Sequence, residues 1–345
     1  MSYRFIDACL RRPVDRTPIW LMRQAGRFLP EYRAVREKVT FLQLCKTPDL
    51  ACEVTLQPVD ILGTDAAILF SDILVVPEAT GMELHFGTGD DHGPQFPHPV
   101  RTHADLARLH IPDPEQELRY VNDTIRLLRK SLNVPLIGFC GAPWTLAAYM
   151  IEGRTSRSFE KAKATLFADE QLAHELLTKI SDALIRYLQA QLDAGAQALQ
   201  IFDSWAGALG PEDYRKFGAP YVAQVVQGLK RDGNTPVIVF GVETGELLAQ
   251  LAATGADVVG VDWRVPLDDA RGRVGPAVAL QGNLDPASLF LPPEALEKRV
   301  ARVLEQADAA GPGHVFNLGH GVLPTTPVES VKALVRQVHA HTPPR

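Results

Sequence analysis

The stretch Ala198-Leu199-Gln200-Ile201-Phe202-Asp203-Ser204-Trp205 holds a mostly apolar run that breaks off at an aspartate and a serine. Its apolar residues do not alternate with polar ones, as they would in a half-exposed strand. The pattern is that of a strand covered on both faces, as in a parallel sheet. The segment just before it, residues 171–194, carries Leu172, Leu176, Ile180, Leu184 and Leu188 at helical spacing. A helix of this kind packed on a strand of this kind is the repeating unit of an α/β fold.

Working outward, the same signal recurs on both sides. Upstream lie Ile19-Trp20-Leu21-Met22, Ala66-Ala67-Ile68-Leu69-Phe70 and Pro135-Leu136-Ile137-Gly138-Phe139. Downstream lie Val237-Ile238-Val239-Phe240, Val258-Val259-Gly260-Val261, Ala277-Val278-Ala279-Leu280 and His314-Val315-Phe316-Asn317-Leu318. Helix-like spacing returns in residues 294–309 through Leu296, Val300, Val303 and Leu304. Thr47-Pro48 and Thr244 before Gly245-Glu246 read as helix starts. Eight strands alternating with helices predict a closed (β/α)8 TIM barrel, a single domain over residues 1–345. An open doubly wound sheet is the competing arrangement.

Residues 82–103 interrupt the alternation with clustered Gly, Pro and Asp, and predict a short hairpin inserted after the second strand. His85, His92, His98, His103 and His110 fall in or near it. Pro94, Pro97 and Pro99 break the helical spacing a metal site on one face would use, so solvated loop histidines are expected and no metal site is assigned.

Composition narrows the functional classes. The chain has 345 residues, 46% hydrophobic and 22% charged, and a formal net charge of -6. That balance provides no global field for nucleic acid or an anionic membrane. Any positive charge for an anionic ligand must be local. No apolar run approaches the roughly 20 residues of a membrane span, and the first residues lack a signal-peptide pattern. Cys9, Cys45, Cys52 and Cys140 form no C-x-x-C pair. A reduced, cytoplasmic protein is expected.

Barrel enzymes place their chemistry at the C-terminal ends of the strands. Here the apolar runs stop at Arg23-Gln24-Ala25-Gly26-Arg27, Ser71-Asp72, Cys140-Gly141, Asp203-Ser204, Asp262, Asn283 and Gly319-His320-Gly321. Arg23 and Arg27, four apart in a glycine-containing loop, can converge on one anion, because guanidinium forks grip carboxylates in pairs of hydrogen bonds. Arg33, Arg36 and Lys38 read as a solvated helix face. Arg23 follows a buried run, so Asp72 or an acidic substrate should satisfy it. Asp72 sits in apolar surroundings and must be paired, hydrogen-bonded or protonated. Tyr149, Ser204 and His320 are each consistent with the rim or with packing. There is no G-x-S-x-G elbow, no G-x-G-x-x-G and no G-x-x-x-x-G-K-[ST]. Gly282 and Gly319 leave a phosphate cup as a minor reading.

Several of these segments together resemble the uroporphyrinogen decarboxylase family. They are Pro18-Ile19-Trp20-Leu21-Met22-Arg23-Gln24-Ala25-Gly26-Arg27, then Leu29-Pro30-Glu31-Tyr32-Arg33, Phe70-Ser71-Asp72-Ile73-Leu74, Gly138-Phe139-Cys140-Gly141-Ala142-Pro143-Trp144-Thr145-Leu146 with Tyr149, Ile201-Phe202-Asp203-Ser204-Trp205 and Asn317-Leu318-Gly319-His320-Gly321. The similarity spans essentially the whole chain in order; Gly241-Val242-Glu243-Thr244-Gly245 matches no site motif. The resemblance implies a single-domain barrel, active as a homodimer without metal or organic cofactor. It implies decarboxylation of the four acetates of uroporphyrinogen III to give coproporphyrinogen III and CO2 in heme or chlorophyll biosynthesis. It puts substrate contacts at Arg23, Gln24, Ala25, Gly26, Arg27, Asp72, Tyr149, Ser204 and His320, with Asp72, Arg23 and Arg27 catalytic. Two rivals are a zinc-dependent corrinoid methyltransferase of the same superfamily and a non-catalytic tetrapyrrole carrier. The first wants thiolate and imidazole ligands, yet no cysteine follows Cys140 and His320 is followed by Gly321-Val322.

Overall fold

Nine strands run along the chain in the computed structural model, which describes residues 3–87 and 93–344. They are β1 (Ala67–Ile68), the hairpin pair β2 (His85–Phe86) and β3 (Pro94–Gln95), then β4 (Leu136–Gly141), β5 (Ala198–Asp203), β6 (Val237–Gly241), β7 (Val258–Gly260), β8 (Ala279–Leu284) and β9 (His314–Leu318). All but the hairpin pair form one parallel sheet in the order β1-β4-β5-β6-β7-β8-β9. β4, β5, β6 and β8 are buried almost throughout, which is why their sequences show no polar face.

The eighth stave is Ile19. It forms a parallel bridge with Phe316 in β9. On its other side the Asp65 N–H donates to the Ile19 carbonyl at 2.8 Å, just ahead of β1. The sheet therefore closes on itself as the expected (β/α)8 barrel. The run Ile19–Met22 pairs over one residue because the chain turns at once: Leu21 N–H donates to Gln24 Oε1 and Met22 N–H to Asn317 Oδ1. The run at Ala277–Leu280 is displaced the other way, the strand covering Ala279–Leu284. Gln281 and Asn283 can lie inside it because both find partners. Trp20 Nε1–H donates to Gln281 Oε1 at 2.9 Å, and Gln281 Nε2–H to Gln200 Oε1 at 3.0 Å, a polar chain across the barrel interior.

The long helix spans Glu170–Ala194, with Asp169 accepting the Leu172 N–H at its start. The next one read from periodicity spans Pro293–Ala310. Thr47-Pro48 does open a helix, Pro48–Leu62, with proline in its first turn. Thr244 precedes only a 3-10 turn, Gly245–Leu247, that continues into Leu248–Ala252. The hairpin falls after the second stave as expected, pairing His85 with Gln95 and Phe86 with Pro94.

At the N-terminal end of the barrel, Asp65 accepts the Ile19 N–H at 2.9 Å and faces His339, Arg4 and Arg16. Burial pushes its carboxyl up, but His339, the Ile19 N–H and Arg16 outweigh that and hold it below its ordinary value. Among the described residues no helix is long and apolar enough to cross a membrane.

Candidate active site

Arg23 emerges directly from the short first stave with φ 62°, in the left-handed region. A non-glycine residue there costs roughly 1–2 kcal/mol, so the surrounding bonds must impose it. Gln24 does so from within. Its N–H donates to the Leu21 carbonyl at 2.9 Å. Its Oε1 accepts from Leu21 N–H at 3.0 Å, and its Nε2–H donates to the Ala66 carbonyl at 3.1 Å. Asn317 Oδ1 fixes the same turn to β9 through Met22 N–H. Two glycines provide room. A Cβ on Gly26 would lie 2.6 Å from the Arg23 carbonyl oxygen, and one on Gly321 would lie 2.4 Å from Arg23 Cδ. The Arg23 stem thus lies across Gly321.

Within the loop Arg23–Arg27 the side chains divide. Gln24 is wholly buried and its amide is used up on backbone. Ala25 and Gly26 are half-buried and shape the turn. Arg27 is exposed, close enough to Arg23 to depress its pKa. Arg33, exposed on its helix as expected, also reaches back to the Arg27 carbonyl at 2.7 Å and the Phe28 carbonyl at 3.2 Å, and so braces the loop. Arg36 likewise bonds the Val39 carbonyl.

Arg23 makes no hydrogen bond or ion pair with a described residue. Its guanidinium is pulled down from its ordinary value by burial, with Tyr149 and Asp72 opposing and Arg27 reinforcing; it stays charged nonetheless. Asp72 is close enough to be felt but is not paired with it. The Asp72 Oδ1 accepts the Leu74 N–H at 2.8 Å, just ahead of the helix Val75–Ala79, and Oδ2 has no partner among the described residues. Burial pushes the Asp72 carboxyl up to about 6, against the Leu74 N–H and Arg23, which hold it down.

Tyr149 lies on the helix Pro143–Glu152 and stacks on Trp205, ring centroids 3.8 Å apart. Burial and then Asp72 push its hydroxyl up, so it remains a donor. Ser204, half-buried, sits between Trp205 and the last residue of β5. The His320 ring is lowered to about 4 by burial first, then by Arg23, with Arg264 adding to this and Asp262 opposing. It is therefore neutral at pH 7. Its Nδ1 accepts the Gly321 N–H at 2.7 Å, which leaves the ring proton on Nε2 as a donor. Arg27, Asp72, Tyr149 and His320 thus each lie within electrostatic reach of Arg23 at the C-terminal end of the barrel, with Ser204 beside the Tyr149–Trp205 stack.

Other strand-end polar residues support this site without facing it. Asp203 is fully buried and accepts Thr145 Oγ1–H at 2.7 Å and Tyr214 O–H at 2.8 Å. Asn283 donates to the carbonyls of Asp262 and Val265. Asp262 accepts the N–H of Glu243 and Arg264 and the Arg264 guanidinium. Glu243, at φ 60°, also takes Arg264 Nη2–H at 2.8 Å. The segment Gly241–Gly245, unmatched in the sequence, is thereby a braced loop. Asp262 and Trp205 stand in segments the sequence singles out, whereas the Glu243–Arg264 pair carries no local signal because its members lie 21 residues apart. Gly282 and Gly319 are held against neighbouring backbone: a Cβ on each would meet Val261 and Trp263 at 2.6 and 2.3 Å.

The histidines of the insertion are taken up separately. His85 pairs with Glu83, His103 with Glu175 and Asp169, and His110 with Glu117. His98 faces Glu83 at 3.9 Å, and His92 lies outside the described residues.

A closed (β/α)8 barrel with Arg23, Asp72 and His320 gathered at the C-terminal ends of its strands has the layout of a TIM-barrel enzyme. Comparison with known proteins gives the family. The profile described as Uroporphyrinogen decarboxylase (URO-D) matches residues 2–341, and the chain belongs to that family. It is 55% identical over 341 residues to the uroporphyrinogen decarboxylase of Geobacter metallireducens, covering 98% of each chain. It is 55% identical over 344 residues to that of Myxococcus xanthus, covering 99% of this chain and 97% of the other. Among solved structures, a methyltransferase from Methanosarcina mazei has the same fold, with TM-score 0.79 at 22% identity over 97% of each chain.

Proposed function

We propose that this chain decarboxylates the four acetate side chains of uroporphyrinogen III to methyls, yielding coproporphyrinogen III and CO2 in tetrapyrrole biosynthesis. The observation that carries the reading is a pair of opposite charges at the same end of the barrel, Asp72 with one carboxylate oxygen and Arg23 with its guanidinium unbonded among the described residues. A polycarboxylate macrocycle with inward N–H groups complements both at once. Losing CO2 leaves an electron pair on carbon and needs a sink. In each cycle the pyrrole is protonated on a ring carbon, the cationic ring accepts the pair as CO2 leaves, a second proton completes the methyl, and loss of the ring-carbon proton restores the pyrrole. The net change per acetate is one proton in and one CO2 out. The pyrrole provides the sink, so the chemistry calls on no organic cofactor or metal.

In this reading Asp72, ionised above pH about 6, accepts pyrrole N–H bonds and stabilises the ring cation. Such preorganised charge is worth a few kcal/mol. Arg23 and Arg27 grip side-chain carboxylates. Tyr149 O–H, Ser204 O–H and His320 Nε2–H orient others, and the main chain at Gln24, Ala25 and Gly26 follows the substrate edge. The protein acts in the cytoplasm as a homodimer. Family membership weighs against the zinc methyltransferase, since the solved methyltransferase shares the fold at only 22% identity. A carrier would bind the same ligand without releasing CO2. The test is anaerobic incubation with uroporphyrinogen, following carboxyl loss by chromatography. Four carboxyls should be lost per macrocycle, and turnover should drop at least 100-fold in Asp72→Asn. Binding without carboxyl loss would leave the carrier, and normal turnover in the variant would remove Asp72 from the chemistry.

A further inference from the structure

At the same C-terminal end of the barrel as Arg23 and Asp72, but lined by none of the residues assigned to the tetrapyrrole, a pocket of about 200 Å³ lies between the loop after β7, the end of β8 and the helix Pro293–Ala310. We propose that it binds a small oxyanion bearing two negative charges. Its helix wall presents Arg299 and Arg302. Residues three apart share a helix face, and neither arginine has a hydrogen bond or ion pair with a described residue. The opposite wall carries Trp263 and Arg264, the guanidinium lying 4.2 Å from the indole centroid. Arg264 is already neutralised by Asp262 and Glu243, so it acts as a rigid donor wall. The one lining carboxylate, Asp285, is occupied in part by the Ala287 N–H at 2.9 Å. Asp285 keeps its charge, so the open charge is that of two guanidiniums against one carboxylate.

Two unpaired forks on one face suit a dianion, held by charge-assisted hydrogen bonds. The volume corresponds to roughly six or seven waters at about 30 Å³ each. That admits a phosphate or a short dicarboxylate. The pocket also abuts the active-site rim. A Cβ on Gly319 would come within 2.3 Å of the Trp263 backbone nitrogen, so the wall of the pocket touches the loop that carries His320.

The test is calorimetric titration of the full chain with inorganic phosphate and, separately, with succinate, at ionic strength fixed with sodium chloride. Three proteins are compared: wild type, Arg299→Ala/Arg302→Ala, and Arg336→Ala as a surface control. Saturable binding of at least one dianion is expected. It should weaken at least tenfold in the double variant and stay unchanged in the control. Whichever anion binds identifies the source as phosphate or carboxylate. No saturable binding to wild type, or equal binding to the double variant, overturns the proposal.

Discussion

Asp72 keeps its proton to about pH 6 in the folded chain, against roughly 3.9 for an unfolded aspartate. Between those values the folded state binds more protons than the unfolded one, so this residue makes stability fall as pH rises through the window. At neutral pH the ionised carboxylate is held at a cost, and that cost is what keeps it available to a cationic ring. Asp72→Asn should therefore raise stability at pH 7.5 by on the order of 1 kcal/mol, discounted for the water that reaches the group. Urea unfolding checks this, and a variant less stable than wild type would contradict it. In the wild type kcat/KM should rise with pH through about 6 and then level off. His320, neutral down to about pH 4, should add no limb in the same range.

The turn after the first stave depends on one amide. Gln24→Ala would strand the Leu21 N–H in a buried setting and leave the Ala66 carbonyl only its bond from Thr64 Oγ1, at about 1–3 kcal/mol. It would also release Arg23 from its left-handed backbone. The expected outcome is a lower denaturation midpoint together with a KM increase larger than any change in kcat. A midpoint shift with unchanged KM would mean that Arg23 holds its position without Gln24. Strand positions were readable at this scale wherever a run was wholly apolar: the run His314–Leu318 coincides with β9. They slipped where side-chain amides decided the register, as at Gln281 and Asn283 in β8. The arginine loop, Asp72 and His320 were legible because each follows an apolar run. The sequence could not tell a strand-end residue that faces the ligand from one spent on scaffold. Asp72 and Asp203 look alike as residue types, yet Asp203 is consumed by Thr145 and Tyr214.

Across the whole molecule, Asp65 ties chain segments distant in sequence at the base of the barrel, joining Arg4, Arg16, Ile19 and His339. Its carboxyl is held below its ordinary value, so its stabilisation is fully present above about pH 4 and is lost as pH falls through the lower folded value. Asp65→Asn should cost about 3 kcal/mol at neutral pH. It should also flatten the acid limb of the stability curve, measured by thermal melts from pH 3 to 7. An unchanged acid limb would place the acid sensitivity elsewhere.

The barrel is shut by a single bridged residue, Ile19, and the arginine loop hangs from that narrowest stave. A ring opens first where it is least tied, so the Trp20 amide should exchange with deuterated water ahead of those in β5 and β6. A macrocycle bridging Arg23 on this stave to Asp72 on the next would act as a hoop across the gap. Its arrival should slow that exchange, so that closing the site and tightening the barrel become one event.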